Sequence, residues 1–193
     1  MNIIDAIINL VNNPTTELQT YSNGKNRANS MGDSLEEYVK DLFSGTFHSV
    51  DETERLVKRQ ETFSYLGNNS NPPDCMLKGG DAIEIKKIES NNAGLAFNSS
   101  YPKQSLLSDS SMISAACKNA EPWTKKDIIY AVGVVNQNQL KHLCFVYGTD
   151  YAASDETYSR IKQTIKSGVE EIPGVQFAET KELGRVNCVD PLG

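Results

Sequence analysis

Apolar residues in the stretch "MGDSLEEYVKDLFSG" fall at Leu35, Tyr38, Val39, Leu42 and Phe43. This i, i+3, i+4, i+7, i+8 spacing is the stripe of an amphipathic helix, with Asp33 or Ser34 able to cap its start and Gly45 its end. "MNIIDAIINLVNN" reads as another amphipathic helix. After the first of these stretches, "TFHSV" predicts a short strand, "DETERLVKRQETFSYL" is ambiguous between helix and strand, and "GNNSNPP" is a loop by composition. "DCMLKGGDAIEIKKI" predicts two short strands turning at Gly79 and Gly80, because Gly-Gly between alternating apolar residues signals a hairpin. In its second strand Ala82, Glu84, Lys86 and Ile88 share one face, and Ile83, Ile85 and Lys87 the other.

Farther on, "NNAGLAFNSSYPKQSLLSDSS" predicts a strand and then an exposed polar loop, and "SMISAACKNA" a short helix. "DIIYAVGVV" and "LKHLCFVYG" are β-rich runs separated by the turn-forming "NQNQ", the pattern of two central, adjacent strands. "SDETYSRIKQTIKSGVEEI" predicts a helix capped by Ser154, with Tyr158, Ile161, Ile165 and Val169 on one stripe. The order helix, several strands, helix predicts an α/β domain with a mixed sheet.

The totals narrow the chemistry. A chain of 193 residues fits one domain. No window approaches the ~18 consecutive apolar residues of a membrane span, and the N-terminal apolar stretch carries Asp5 and no basic flank, unlike a secretion signal. A cytoplasmic protein with no membrane partner is expected. Cys75, Cys117, Cys144 and Cys188 show no metal-ligand spacing and read as reduced, buried thiols. With His48 and His142 the only histidines, a histidine triad is improbable and acid-base chemistry falls to carboxylates and lysines. A net charge of -6 argues against a protein coated in basic residues for polyanion binding, yet leaves room for a local basic cleft beside an acidic cluster.

Glu84 and Lys86 on one strand face, with Asp74 on the partner strand, place two carboxylates and an ammonium in one small volume. Hard divalent ions such as magnesium bind through one or two carboxylates plus substrate phosphates, and such an ion serves phosphodiester hydrolysis. Lys86 could orient or deprotonate the attacking water. The competing reading is a solvated edge strand carrying Glu84, Lys86 and Lys87 as surface charges; Asp81, at the turn, is an alternative acidic ligand.

Pro73, Asp74, nine residues, Glu84, Ile85 and Lys86 resemble the PD-(D/E)xK nuclease signature. In that superfamily a helix glutamate upstream of the hairpin often completes the metal site. Glu36 is the first choice, bordering the buried face, and Glu37 the second. Longer strings, "GDSLEEYVKDLF", "NPPDCMLKGGDAIEIKK", "FNSSYPKQSLL", "FVYGTDYAA" and "GRVNCVDPLG", resemble the NgoPII family of type II restriction endonucleases in the same order. The resemblance implies a restriction-endonuclease-like mixed sheet flanked by helices, magnesium-dependent cleavage of double-stranded DNA, GGCC as the sequence read, and a cognate DNA methyltransferase. Family members continue past "VDPLG", so it also implies a single nuclease domain over 1–193 shortened at its C-terminus. A palindromic site implies a homodimer.

For DNA contacts, Asn98, Ser99, Ser100, Lys103 and Gln104 offer polar donors and a cation near the catalytic strand. Lys25, Asn26 and Arg27 precede the acidic helix, where backbone N–H groups also attract phosphate. Trp123, beside Lys125 and Lys126, reads as a core anchor rather than a DNA contact. Two other functions fit these residues: a catalytically inactive DNA-binding remnant, and a repair-type nuclease of the same superfamily.

Overall fold

The computed structural model describes residues 1–18, 31–49, 51–68, 71–89, 102–137, 139–177 and 186–189. Helix α1 (Ile3–Asn12) is closed by a capping box, Asn2 accepting from the N–H groups of Ile4 and Asp5 while Asp5 accepts from that of Asn2. Helix α2 (Met31–Ser44) buries the whole predicted stripe, Leu35, Tyr38, Val39, Leu42 and Phe43. It begins upstream of Asp33 and Ser34, so neither is its cap. Gly45 ends it in the left-handed region, φ 66°, its N–H on the Asp41 carbonyl.

The ambiguous stretch is both things in turn, helix α3 (Glu52–Thr62) and then strand β1 (Phe63–Asn68). The inward face of α3 is Arg55, Arg59 and Thr62, which is why apolar periodicity did not mark it as a helix. Two strand expectations need correction. "TFHSV" holds a turn over its described residues 46–49, where the Thr46 hydroxyl bonds the Asp41 carboxylate and meets Ser44 at 2.7 Å instead of joining a sheet. The loop expected over "GNNSNPP" gives way to strand β2 (Asn71–Leu77), with Pro72 and Pro73 inside it. They are tolerated there because β2 pairs with its neighbour β3 only through Cys75 and Met76, leaving no ladder bond for a proline to break on that side.

Strand β3 (Ala82–Ile88) completes the hairpin antiparallel to β2, then runs parallel to β5 (Lys125–Asn136) from Ala82↔Ile128 to Ile88↔Val134. Strand β4 (Ser105–Leu107) lies antiparallel beside the first residues of β5, and β6 (Gln139–Tyr147) antiparallel along the rest. The result is a six-stranded mixed sheet in an α/β domain, as expected. Of the two runs expected to be central, β5 is central and β6 is paired with β5 alone among the named strands. Short helices α4 (Ala115–Lys118) and α5 (Gly148–Tyr151) precede α6 (Asp155–Glu170), which Ser154 caps. Strands β7 (Val175–Phe177) and β8 (Val186–Val189) form a separate antiparallel pair.

The core has two halves, one on each face of the sheet. On one, α2 packs against Ile83, Ala131 and Val135; on the other, Tyr65, Met76, Ala82 and Tyr130 pack with Leu106 and Cys117. Only the first residue of the α6 stripe is well buried: Ile161 and Ile165 are 36% and 42% exposed. Cys75 and Cys117 are buried as expected, whereas Cys144, on β6 at the sheet edge, is exposed; the side chain of Cys188 lies outside the described residues. Among the described residues no helix is long and apolar enough to cross a membrane.

Candidate active site

The β2–β3 hairpin sets the geometry. Lys126, buried at the start of β5, donates to the carbonyls of Leu77 (3.3 Å) and Gly80 (2.5 Å) and pairs with Glu121, pinning the turn. Past the Cys75↔Ile83 pair, side chains take over from the ladder: the Ile85 N–H donates to Asp74 Oδ2 at 2.6 Å. Asp74 is thereby fixed across the hairpin from Glu84, and Lys86 Nζ lies 2.6 Å from Glu84 Oε1. The strand alternation read from the sequence thus places Asp74, Glu84 and Lys86 in one cluster.

This cluster is strained electrostatically. Burial first, then the negative charge of Glu84, push the Asp74 carboxyl up to about 7; Glu36 adds to the push, while the Ile85 N–H and Lys86 oppose it. Glu84 is 8% exposed, and its Oε2 is buried with no hydrogen-bond partner. An unsatisfied buried carboxylate oxygen is costly, and beside a second carboxylate it suits a cation. Among the described residues no three His, Cys, Asp or Glu side chains gather closely enough to hold a metal ion by themselves. The donor set is therefore two carboxylates, which matches the way magnesium is held when phosphate and water complete the shell.

Of the two helix glutamates, Glu37 is committed elsewhere. Arg55 Nη2 reaches it at 2.7 Å and Arg59 Nη1 at 3.0 Å, and both arginines also hold the fully buried Asp41. Glu36, one residue and about a quarter turn away, pairs with Lys40 and acts on Asp74 through its charge. Asp81 faces elsewhere, accepting from the Tyr147 hydroxyl at 3.3 Å with Asp127 nearby.

The polar segment after β3 differs from expectation where it is described. Rather than an exposed loop, residues 102–107 lead into β4 with Lys103, Ser105 and Leu106 buried. Gln104 Nε2 donates to the Ala152 carbonyl at 3.4 Å. Asn98, Ser99, Ser100, Lys25, Asn26 and Arg27 lie outside the described residues. Trp123 is half-buried against the second core half and donates to the Cys117 carbonyl at 3.3 Å, as an anchor would. Residue reading missed Tyr130, directly beside Glu84 in the parallel register. Inside "DIIYAVGVV" it looks like any core aromatic, and only the β3–β5 pairing brings it to the carboxylates.

A family model described as NgoPII restriction endonuclease matches residues 1–193. The type II restriction enzyme NgoPII of Neisseria gonorrhoeae is 62% identical over 193 residues, which make up 100% of this chain and 69% of that protein. No solved structure matches the chain.

Proposed function

Because the chain belongs to the NgoPII restriction endonuclease family and is a type II restriction endonuclease, we propose that it hydrolyses double-stranded DNA with magnesium held by Asp74 and Glu84, at a short palindrome that the family resemblance gives as GGCC. One observation carries the metal reading: the buried, unbonded Glu84 Oε2 stands beside a second carboxylate whose ionisation is suppressed until a cation arrives. Magnesium, when bound, neutralises the scissile phosphate and acidifies a water.

The protein's own groups do the rest. The Ile85 N–H holds Asp74 Oδ2 in place, so that ligand needs little reorganisation. Glu84 keeps one oxygen on Lys86 and leaves the other for the cation. Lys86 is 36% exposed at its side chain, open enough to meet and orient an incoming water while its ammonium offsets the second carboxylate. Glu36, paired with Lys40, adds its negative charge to the site from α2 rather than a ligand oxygen. Lys103 and Gln104, with Asn98, Ser99, Ser100, Lys25 and Arg27, are proposed to contact DNA. A single nuclease domain acting as a cytoplasmic homodimer, protected by a cognate methyltransferase, completes the reading.

The test is incubation of the chain with unmethylated plasmid and magnesium, followed by sequencing of the ends. Discrete bands with identical ends, lost on adding a chelator and lost in Asp74→Asn, are expected. Nicking at scattered positions would favour the repair-type nuclease, and binding without cutting in every divalent metal the inactive remnant.

A further inference from the structure

Lys103 is a long way from Glu84 in sequence, and the fold holds its backbone in two ways. The Lys103 N–H donates to the Tyr130 hydroxyl at 2.6 Å, and that hydroxyl donates back to the Lys103 carbonyl at 3.2 Å. Gly148 presses against the same stretch: a Cβ there would collide with the Lys103 and Gln104 carbonyl oxygens. The Tyr151 ring lies 4.7 Å from that of Tyr130, closing the far side. Tyr130 is itself the register partner of Glu84 across β3 and β5, so a single phenol links the carboxylate strand to the lysine. The Lys103 ammonium is 3.3 Å from Met112 Sδ. Burial disfavours its charged form most; Glu84, and then Asp155 on α6, favour that form, and Lys86 and Lys162 oppose them. Burying an ammonium is expensive, and a backbone clamp this close is more than a strand start requires.

We propose that Lys103 is a second cationic group of the carboxylate site, set in place by the Tyr130 hydroxyl to meet the phosphate on which Asp74, Glu84 and Lys86 act. This deepens the endonuclease reading and rests on it. Lys103 would be a catalytic residue, facing the phosphate from the β5 side, and Tyr130 a positioning residue.

The test measures two things on the full chain, manganese affinity by calorimetry and the single-turnover cleavage rate in magnesium. Lys103→Met removes one positive charge near the metal position, so manganese should bind about tenfold tighter. Cleavage should slow by about 10²-fold, as for loss of one preorganised charge-stabilising donor. Lys103→Arg should keep the parent's manganese affinity. Tyr130→Phe should shift both readouts in the same direction as Lys103→Met, and the double variant should be no worse than Lys103→Met alone, since the hydroxyl acts through the lysine. Unchanged manganese affinity in Lys103→Met overturns the proposal, as does a Tyr130→Phe effect that adds in full to that of Lys103→Met. Asp74→Asn separates the two readings. If it alters neither manganese binding nor cleavage, the carboxylate site itself is wrong; if it abolishes both while Lys103→Met changes neither, only the role of Lys103 falls.

Discussion

Burial and Glu84 hold the Asp74 carboxyl at about 7, against an ordinary 3.8, so the folded metal-free chain keeps a proton there that the unfolded chain has lost. Between these values Asp74 binds a proton in the native state that it has lost in the unfolded one, so its own contribution to stability falls as pH rises. We expect the melting temperature of the metal-free chain to decline from pH 4 to pH 7 more steeply than that of Asp74→Asn; parallel profiles would show that Asp74 ionises normally. Loss of a ligand should be more drastic for catalysis. Asp74→Ala or Glu84→Ala should abolish metal-dependent cleavage yet leave DNA binding measurable by anisotropy, because phosphate contacts elsewhere persist. Lys86→Ala should slow cleavage by ~10²- to 10⁴-fold while metal binds at least as tightly as to the parent, because a positive charge beside the carboxylates is removed. Strand alternation alone put Asp74, Glu84 and Lys86 together. It could not disclose Tyr130 or the burial of Lys103, since both depend on the β3–β5 register and on β4, contacts formed between residues distant in sequence.

At the scale of elements, α2 carries two adjacent glutamates with different surroundings. The Arg55 and Arg59 guanidiniums on α3 take Glu37 and the fully buried Asp41, fixing how α2 is rotated, while Glu36 pairs with Lys40 and adds its charge to Asp74. Asp41→Asn would leave two buried guanidiniums short of a counter-charge and should cost about 3 to 5 kcal/mol, read from urea unfolding. Glu36→Gln, by contrast, should scarcely move the urea midpoint while weakening manganese binding. A large stability loss in Glu36→Gln would mean that its pair with Lys40 is structural. The stripe of α2 was plain in the sequence because its inward residues are apolar. That of α3 was not, because its inward residues are arginines whose burial makes sense only with Glu37 and Asp41 opposite. The "TFHSV" error has the same origin: Thr46 is spent on closing the α2 turn, a side-chain contact that β propensity does not register.

For the molecule as a whole, a net charge of -6 and two facing carboxylates mean that DNA approaches against repulsion unless the site is neutralised. Repulsion between Glu84 and a phosphate is local and poorly screened in a buried setting, so it outweighs charges spread over the surface. Divalent metal should therefore raise DNA affinity as well as enable cutting. Removing the carboxylate charges should do the first without the second. We expect the double variant Asp74→Asn, Glu84→Gln to bind duplex DNA in chelator more tightly than the parent does, with no cleavage in any metal. The difference should shrink as pH falls below about 7, where the parent's Asp74 takes up a proton and loses its charge. Fluorescence anisotropy at fixed ionic strength, at pH 6 and pH 8, measures both effects. Equal affinities for parent and double variant at pH 8 would place the phosphates away from Asp74 and Glu84, and with them the reacting bond.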